Sequence, residues 1–198
     1  LHLPAIANEL DIEIGLKDFD TISKKTPCLC KIKPNGPFNF SDLEKAGGIP
    51  AVMKRLESML HLDTLTVTEK NLGENIKNMV VGDDKIIAPL SKPYMKDGGI
   101  AVLYGNLAPN GAVVKTSAVH PSMLVHSGPA RVFESEEDCH NAFDSNQIKP
   151  GDILVIRYEG PKGGPGMREM LMITIRISES EFNKSVALVT DGRFSGGS

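Results

Sequence analysis

Two glycine-rich loops near the end of the chain each enclose one side chain suited to polar chemistry. The first loop, residues 160–170, contains the carboxylate of Glu169, and the second, residues 191–198, contains the hydroxyl of Ser195. Because glycine lacks a Cβ, such loops can adopt positive φ angles and approach a ligand closely. Both side chains are suited to polar contacts with a ligand, and a hydroxyl in such a loop could act as a nucleophile.

The local sequence alone assigns neither side chain. Gly192-Arg193-Phe194-Ser195-Gly196 has one residue more than the Gly-x-Ser-x-Gly elbow of α/β-hydrolases, which argues against a serine hydrolase. The first loop also lacks the Gly-x4-Gly-Lys-Ser/Thr order of a phosphate-binding P-loop. On these patterns alone, a loop hydroxyl that satisfies a backbone group and a solvated carboxylate are the favoured interpretations of Ser195 and Glu169.

Composition restricts the class of partner. A formal net charge of -3 gives no electrostatic reason to expect nucleic acid or an anionic membrane. Aromatic residues make up 5% of the chain and Trp is absent, which disfavours a surface for stacking bases. No apolar run approaches the ~20 residues that a membrane-spanning helix needs. The composition therefore gives no reason to expect nucleic acid or a membrane as a partner.

The cysteines and histidines do not form a recognisable metal motif. Cys28, Cys30 and Cys139 are an odd number without framework spacing, which favours a reducing compartment over a secreted disulfide scaffold. A metal or cluster site needs more ligands than this set supplies, so two half-buried thiols on an extended segment are the favoured interpretation of the first pair. The histidines lack zinc-binding spacing and are interpreted as surface or packing residues.

The secondary structure predicted to position the two loops changes along the chain, from helices in the first part to short strands in the second. The first part is predicted to be helical with short loops, including helices over 3–10, 18–23, 49–60 and 69–79, a capping box at Ser41–Glu44 and a cap at Thr68. A linker rich in Pro and Gly lies around residues 89–99. We therefore predict a truncated α/β domain over residues 1–92, followed by a β-rich, barrel-like domain over 93–198.

The second part is predicted to consist of short strands separated by turns. The strands are expected at 100–104, 112–116, 130–133, 152–158, 172–177 and 186–190, with one helix at 135–143 that Ser135 and Asp138 cap. Because the chain stops within the second glycine-rich loop, we expect it to be a piece of a longer protein.

Long stretches of the chain resemble the dihydroxyacid dehydratase and phosphogluconate dehydratase family. The resemblance covers nearly the whole sequence and is most specific in both glycine-rich loops. It is carried by Lys33-Pro34-Asn35-Gly36, Ala46-Gly47-Gly48-Ile49-Pro50, Asp97-Gly98-Gly99-Ile100-Ala101, Gly105-Asn106-Leu107-Ala108-Pro109-Asn110-Gly111, Arg157-Tyr158-Glu159-Gly160-Pro161-Lys162-Gly163-Gly164-Pro165-Gly166-Met167 and Thr190-Asp191-Gly192-Arg193-Phe194-Ser195-Gly196-Gly197. Residues 46–52 resemble the branched-chain biosynthetic branch more than the sugar-acid branches.

The resemblance implies a hydro-lyase that dehydrates 2,3-dihydroxy carboxylic acids to 2-oxo acids and uses Mg²⁺ and an Fe–S cluster. By position, Glu169 would ligate Mg²⁺ and Ser195 would be the base. The family's cluster cysteines lie upstream of this chain, so none of its three cysteines is assigned to the cluster. The segment 172–177 differs from the family's usual Pro-Thr pair, so it is interpreted as a strand. The resemblance further implies a homodimer in full-length form and a cytoplasmic location, or a mitochondrial or plastid one in a eukaryote.

Two alternatives remain open on the sequence. Within the family, the substrate could be a sugar acid or 6-phosphogluconate. From another class, the chain alone could be a non-catalytic binding or assembly module. In either case, one carboxylate and no cluster ligands predict that the 198-residue chain alone is inactive.

Overall fold

The computed structural model describes residues 2–33, 35–162 and 166–195. Two compact units divide the chain, residues 1–118 and 119–198. The expected glycine-rich stretches fall partly on residues 163–165 and 196–198, and those residues lie outside the described part.

The first unit is mainly helical. Its helices are α1 (His2–Glu9), α2 (Leu16–Lys25), α3 (Phe40–Lys45), α4 (Gly48–Arg55) and α5 (Leu72–Ile76). Strands β1 (Ala101–Leu103) and β2 (Ala112–Val114) form an antiparallel pair. Leu43, Ala46, Ala51 and Ile87 form its buried cluster. The expected helices are therefore present, although α5 is shorter than the predicted range 69–79.

Two predicted helix starts in this unit are wrong by a few residues. The residue that precedes α3 is Asn39, not Ser41, and its amide donates to the Asp42 carboxylate at 2.8 Å. The residue that precedes α5 is Asn71, not Thr68, and its amide donates to the Glu74 carboxylate at 2.9 Å. In both places a polar residue with a carboxylate three positions later satisfies an orphan N–H. At α3 the sequence offers two pairs of that spacing, Asn39 with Asp42 and Ser41 with Glu44.

The second unit is a parallel three-stranded sheet with two crossover helices. The elements follow in the order β3 (Ala130–Phe133), α6 (Glu136–Asp144), β4 (Ile153–Ile156), α7 (Leu171–Ser178) and β5 (Ala187–Thr190). The strand order is β3-β4-β5, with Ala130 opposite Ile153 and Ile153 opposite Ala187. The predicted strand at 130–133 and the helix capped by Ser135 are confirmed, and the Ser135 hydroxyl accepts the Asp138 amide at 3.1 Å.

Both helices of this unit pack on one face of the sheet. Leu154 and Ile156 of β4 are completely buried there, together with Cys139 of α6 and Ile173 of α7. Phe143 and Phe182 meet edge to face with their ring centroids 5.7 Å apart. The core of the unit therefore lies between the sheet and the two helices, directly beneath the loops that leave β4 and β5.

The prediction of a strand at 172–177 is wrong, because this segment lies in helix α7. Its alternating apolar and polar residues imitate the period of a strand, but parallel β4 and β5 require a crossover between them. Burial of Ile173 and donation of its amide to the Glu136 carboxylate at 3.1 Å fix the start of the helix.

The expectation of a barrel is also not met among the described residues, where the strands form two small open sheets. The described part of the chain is therefore a mixed α/β protein. Within these residues, no helix combines the length and apolar character needed to cross a bilayer.

Candidate active site

The two glycine-rich loops leave the carboxyl ends of neighbouring parallel strands and lie side by side. β4 ends at Ile156 and β5 at Thr190, so both loops begin at the same edge of the sheet. Glu169 of the first loop pairs with Arg193 of the second in a parallel bridge. The amide of Arg193 donates to the carbonyl of Arg168, and the amide of Met170 donates to the carbonyl of Arg193, both at 2.9 Å.

The carboxylate of Asp191 fastens the exit of β4 to the exit of β5. It accepts hydrogen bonds from the amides of Tyr158 at 3.1 Å and Glu159 at 3.0 Å. Tyr158 has a φ of +64°, a left-handed conformation that is unfavourable for a bulky residue. The Asp191 contacts therefore hold a strained turn in place, as is common around functional sites.

Two glycines are required where the loops cross. A Cβ built on Gly160 would lie 2.5 Å from the carbonyl oxygen of Asp191. A Cβ on Gly192 would lie 2.7 Å from the carbonyl oxygen of Arg168. Both obstacles are backbone atoms, so a side chain at either position would push the loops apart.

We expect Gly160→Ala to destabilise the chain by about 1–3 kcal/mol, because overpacking against backbone cannot be relieved by a rotamer change. A thermal melt followed by circular dichroism should show a fall in Tm of several degrees. Gly105→Ala is the matched control, since a Cβ there would meet no atom within 4 Å. Equal melting temperatures for the two variants would contradict the close approach of the loops.

The two carboxylate oxygens of Glu169 differ in their contacts, because one lies near an arginine and the other has no hydrogen-bond partner among the described residues. Its Oε2 lies 3.5 Å from Nη1 of Arg193, and its side chain is 26% exposed. Its Oε1 is buried and has no hydrogen-bond partner among the described residues. A buried carboxylate oxygen without a partner is costly, and a hard cation with a preference for oxygen ligands would satisfy it. The donor chemistry of Glu169 therefore fits Mg²⁺.

Ser195 is half-buried and lies two residues after Arg193. Two residues of extended chain span about 7 Å, and bridged strands lie about 5 Å apart, so the Cα atoms of Ser195 and Glu169 are within roughly 12 Å of each other. The structure thus brings together the two loops that carry the two predicted site residues.

The cysteines do not form a metal site among the described residues. The Cys28 thiol donates to the carbonyl of Cys30 at 3.3 Å, and both are half-buried in the first unit. Cys139 lies in the core of the second unit, where burial raises the pKa of its thiol to about 12. Within the described ranges, no three His, Cys, Asp or Glu side chains converge to hold a metal ion. These residues therefore do not fit an Fe–S cluster, and Glu169 would need further Mg²⁺ ligands from elsewhere.

Sequence reasoning missed the residues that surround Glu169. Arg193 contacts its carboxylate, and Arg168 contacts Glu136, Glu137 and Glu159. Their position directly beside Glu169 and within the second loop was a signal, but only the fold identifies their partners.

The sequence of the chain matches models of a known protein family. A family model described as the dihydroxy-acid/6-phosphogluconate dehydratase N-terminal domain matches residues 1–75, and the C-terminal counterpart matches residues 85–198.

Curated relatives align along essentially the whole chain. A protein of Acetivibrio thermocellus named dihydroxy-acid dehydratase is 58% identical over 99% of the chain. Proteins with the same name from Ruminiclostridium cellulolyticum and Methanosarcina barkeri are 56% and 55% identical over 100% of it. The chain spans 36% of the length of each of these relatives. Taken with the two domain matches, this similarity shows that the chain belongs to the dihydroxy-acid/6-phosphogluconate dehydratase family.

Proposed function

We propose that the full-length protein is a hydro-lyase that converts 2,3-dihydroxy carboxylic acids of the 2,3-dihydroxyisovalerate type into 2-oxo acids. The reaction would serve the biosynthesis of valine, leucine and isoleucine. Identities of 52–58% to several proteins named dihydroxy-acid dehydratase support this substrate class over a sugar acid or 6-phosphogluconate. They also favour it over a non-catalytic binding module.

One observation of the geometry carries the proposal: the buried, unpartnered Oε1 of Glu169, on a segment bridged to the loop of Ser195. We assign this oxygen to Mg²⁺, with the remaining ligands outside the chain. Mg²⁺ would supply positive charge that stabilises the negative charge developing on the substrate. Arg193 would hold Oε2 and leave Oε1 to the cation.

In this mechanism Ser195 is the base. A proton next to a carboxylate is weakly acidic, so its removal needs stabilisation of the negative charge that develops on the substrate. As its alkoxide, the Ser195 oxygen would accept the C2 proton, and the C3–O bond would break. The departing hydroxide would take the proton from Ser195 and leave as water, which restores the alkoxide. The resulting enol would tautomerise to the 2-oxo acid. The net change is the loss of one water molecule from the substrate.

The proposal also includes the properties that the family resemblance implies for the whole protein. These are an Fe–S cluster with ligands outside this chain, a homodimer, and a cytoplasmic location, or an organellar one in a eukaryote. From the pattern of short strands and the Pro- and Gly-rich segment, the proposal also includes a boundary between domains after residue 92 and a barrel-like C-terminal domain. The bacterial and archaeal relatives support the cytoplasmic location.

We expect the full-length enzyme to dehydrate 2,3-dihydroxyisovalerate and to turn over gluconate-type acids far more slowly. Release of 2-oxo acid, measured after derivatisation, gives kcat/KM for each substrate. The 198-residue chain with added Fe and Mg²⁺ is the negative control, because a single carboxylate offers too few ligands for an octahedral shell. Turnover of gluconate-type acids alone would contradict the assigned substrate, and activity of the 198-residue chain would contradict the assigned ligand set.

A further inference from the structure

Arg168, the residue before Glu169, lies among three carboxylates. Its guanidinium donates to both oxygens of Glu137, at 2.6 and 2.9 Å. It also lies 3.2 Å from Oε2 of Glu136 and 3.4 Å from Oε1 of Glu159. Glu137 is exposed, whereas the side chains of Glu136 and Glu159 are only 3% and 4% exposed. Arg168 therefore supplies the positive charge that two buried carboxylates require.

Each buried carboxylate holds the beginning of a helix. Oε1 of Glu159 accepts the amide of Glu136, the first residue of α6, at 2.8 Å. Oε1 of Glu136 accepts the amide of Ile173, in the first turn of α7, at 3.1 Å. These amides have no partner within their own helices. The Arg168 side chain thus contacts the two carboxylates, of Glu159 and Glu136, that accept the first amides of α6 and α7.

The backbone of Arg168 forms hydrogen bonds with residue 159, which precedes the first loop, and with residue 193 of the second loop. Its amide donates to the carbonyl of Glu159, and its carbonyl accepts the amide of Arg193, each at 2.9 Å. Residues 159, 168 and 193 thus form a short ribbon beyond the carboxyl ends of β4 and β5. Because successive side chains in an extended segment alternate, Arg168 and Glu169 point to opposite sides of this ribbon.

We propose that Arg168 is a positioning residue: it anchors the ribbon to α6 and α7 and thereby fixes the carboxylate of Glu169 in the orientation that binds the cation. This inference rests on the proposed function, in which Glu169 is a Mg²⁺ ligand. Arg168 contacts helix-capping carboxylates on one side of the ribbon, and Glu169 would bind the cation on the other side. A lysine would keep the charge but lose the planar fork that contacts three carboxylates together.

The test uses the full-length protein and measures binding of Mn²⁺, as a substitute for Mg²⁺, by electron paramagnetic resonance. We expect Arg168→Lys and Arg168→Gln to weaken Mn²⁺ binding by about tenfold or more, as for other residues that orient metal ligands. We also expect kcat to fall while the cluster absorbance is unchanged. Arg176→Gln is the matched control, because Arg176 of α7 forms an ion pair with exposed Asp144 of α6 on the same unit. Wild-type affinity for Mn²⁺ in a folded Arg168→Gln variant would overturn the proposal.

A second variant covers the case in which Arg168→Gln does not fold. Arg168→Met combined with Glu136→Gln and Glu159→Gln removes the buried charges and keeps an acceptor oxygen for each helix amide. We expect this triple variant to fold and still to bind Mn²⁺ about tenfold more weakly than the wild type. Wild-type affinity in the triple variant would show that Arg168 only neutralises charge and would overturn the positioning role. Absence of Mn²⁺ binding in the wild-type protein would instead overturn the proposed function.

Discussion

Ser195→Ala in the full-length enzyme is expected to lower turnover by roughly 10²- to 10⁴-fold, the usual contribution of a positioned general base. The variant loses one oxygen atom, which is the atom assigned to accept the C2 proton. Fold, cluster absorbance and Mn²⁺ affinity should remain those of the wild type, because the substitution leaves Glu169 and its bridge to Arg193 intact. Initial rates of 2-oxo acid formation, together with circular dichroism and the absorbance spectrum, test these expectations.

Ser178→Ala is the control for this experiment. Ser178 is exposed at the end of α7, where its hydroxyl donates to the carbonyl of Ile175 at 2.8 Å. Its removal should change neither rate nor spectrum. Near-wild-type turnover of Ser195→Ala would exclude the hydroxyl as the base, and the role of Glu169 would then need to be reassigned as well.

Glu169→Gln is expected to weaken divalent-cation binding and turnover together, each by about tenfold or more. The substitution keeps the size of the side chain but exchanges a charged hard ligand for a neutral one, which lowers its affinity for Mg²⁺. Titration with Mn²⁺ measures the first effect and the rate of 2-oxo acid formation the second. Glu179→Gln, which neutralises an exposed carboxylate after α7, is the control.

The same substitution should have a different effect on the stability of the 198-residue chain. Oε1 of Glu169 is buried without a partner among the described residues, so neutralising this side chain should leave Tm unchanged or raise it. A residue retained for binding rather than for folding behaves in this way. A loss of several degrees in Tm with unchanged cation affinity would mean that Glu169 is a structural residue.

Elements whose signals are local could be predicted from the sequence. The strand at 130–133 and the helix beginning after Ser135 depend on neighbouring residues, and both are found where expected. Helix α7 could not be predicted in this way, because its apolar residues alternate. Its conformation is decided by the crossover between β4 and β5 and by the carboxylate of Glu136, which lies 37 residues away from Ile173 in the sequence.

The candidate site was predictable only through the family resemblance. Locally, Glu169 and Ser195 are a loop carboxylate and a loop hydroxyl, and their sequence positions do not separate a functional role from a structural one. Arg193 and Arg168 act through partners on other elements, such as Glu159 at the exit of β4. No spacing rule connects these residues, because the connection exists only when parallel strands bring both loops to one edge of the sheet.

Because Cys139 is buried, the rate at which its thiol reacts can measure transient opening of the second unit. Thiol reagents attack the thiolate, and this thiol is completely buried with a pKa of about 12. Cys139 should therefore react only when α6 separates from the sheet, whereas half-buried Cys28 and Cys30 should react earlier. The slow phase of labelling then measures how often the core beneath the loops opens, without an engineered cysteine. Rates compared across loop variants would show whether a substitution loosens the scaffold or alters the site alone.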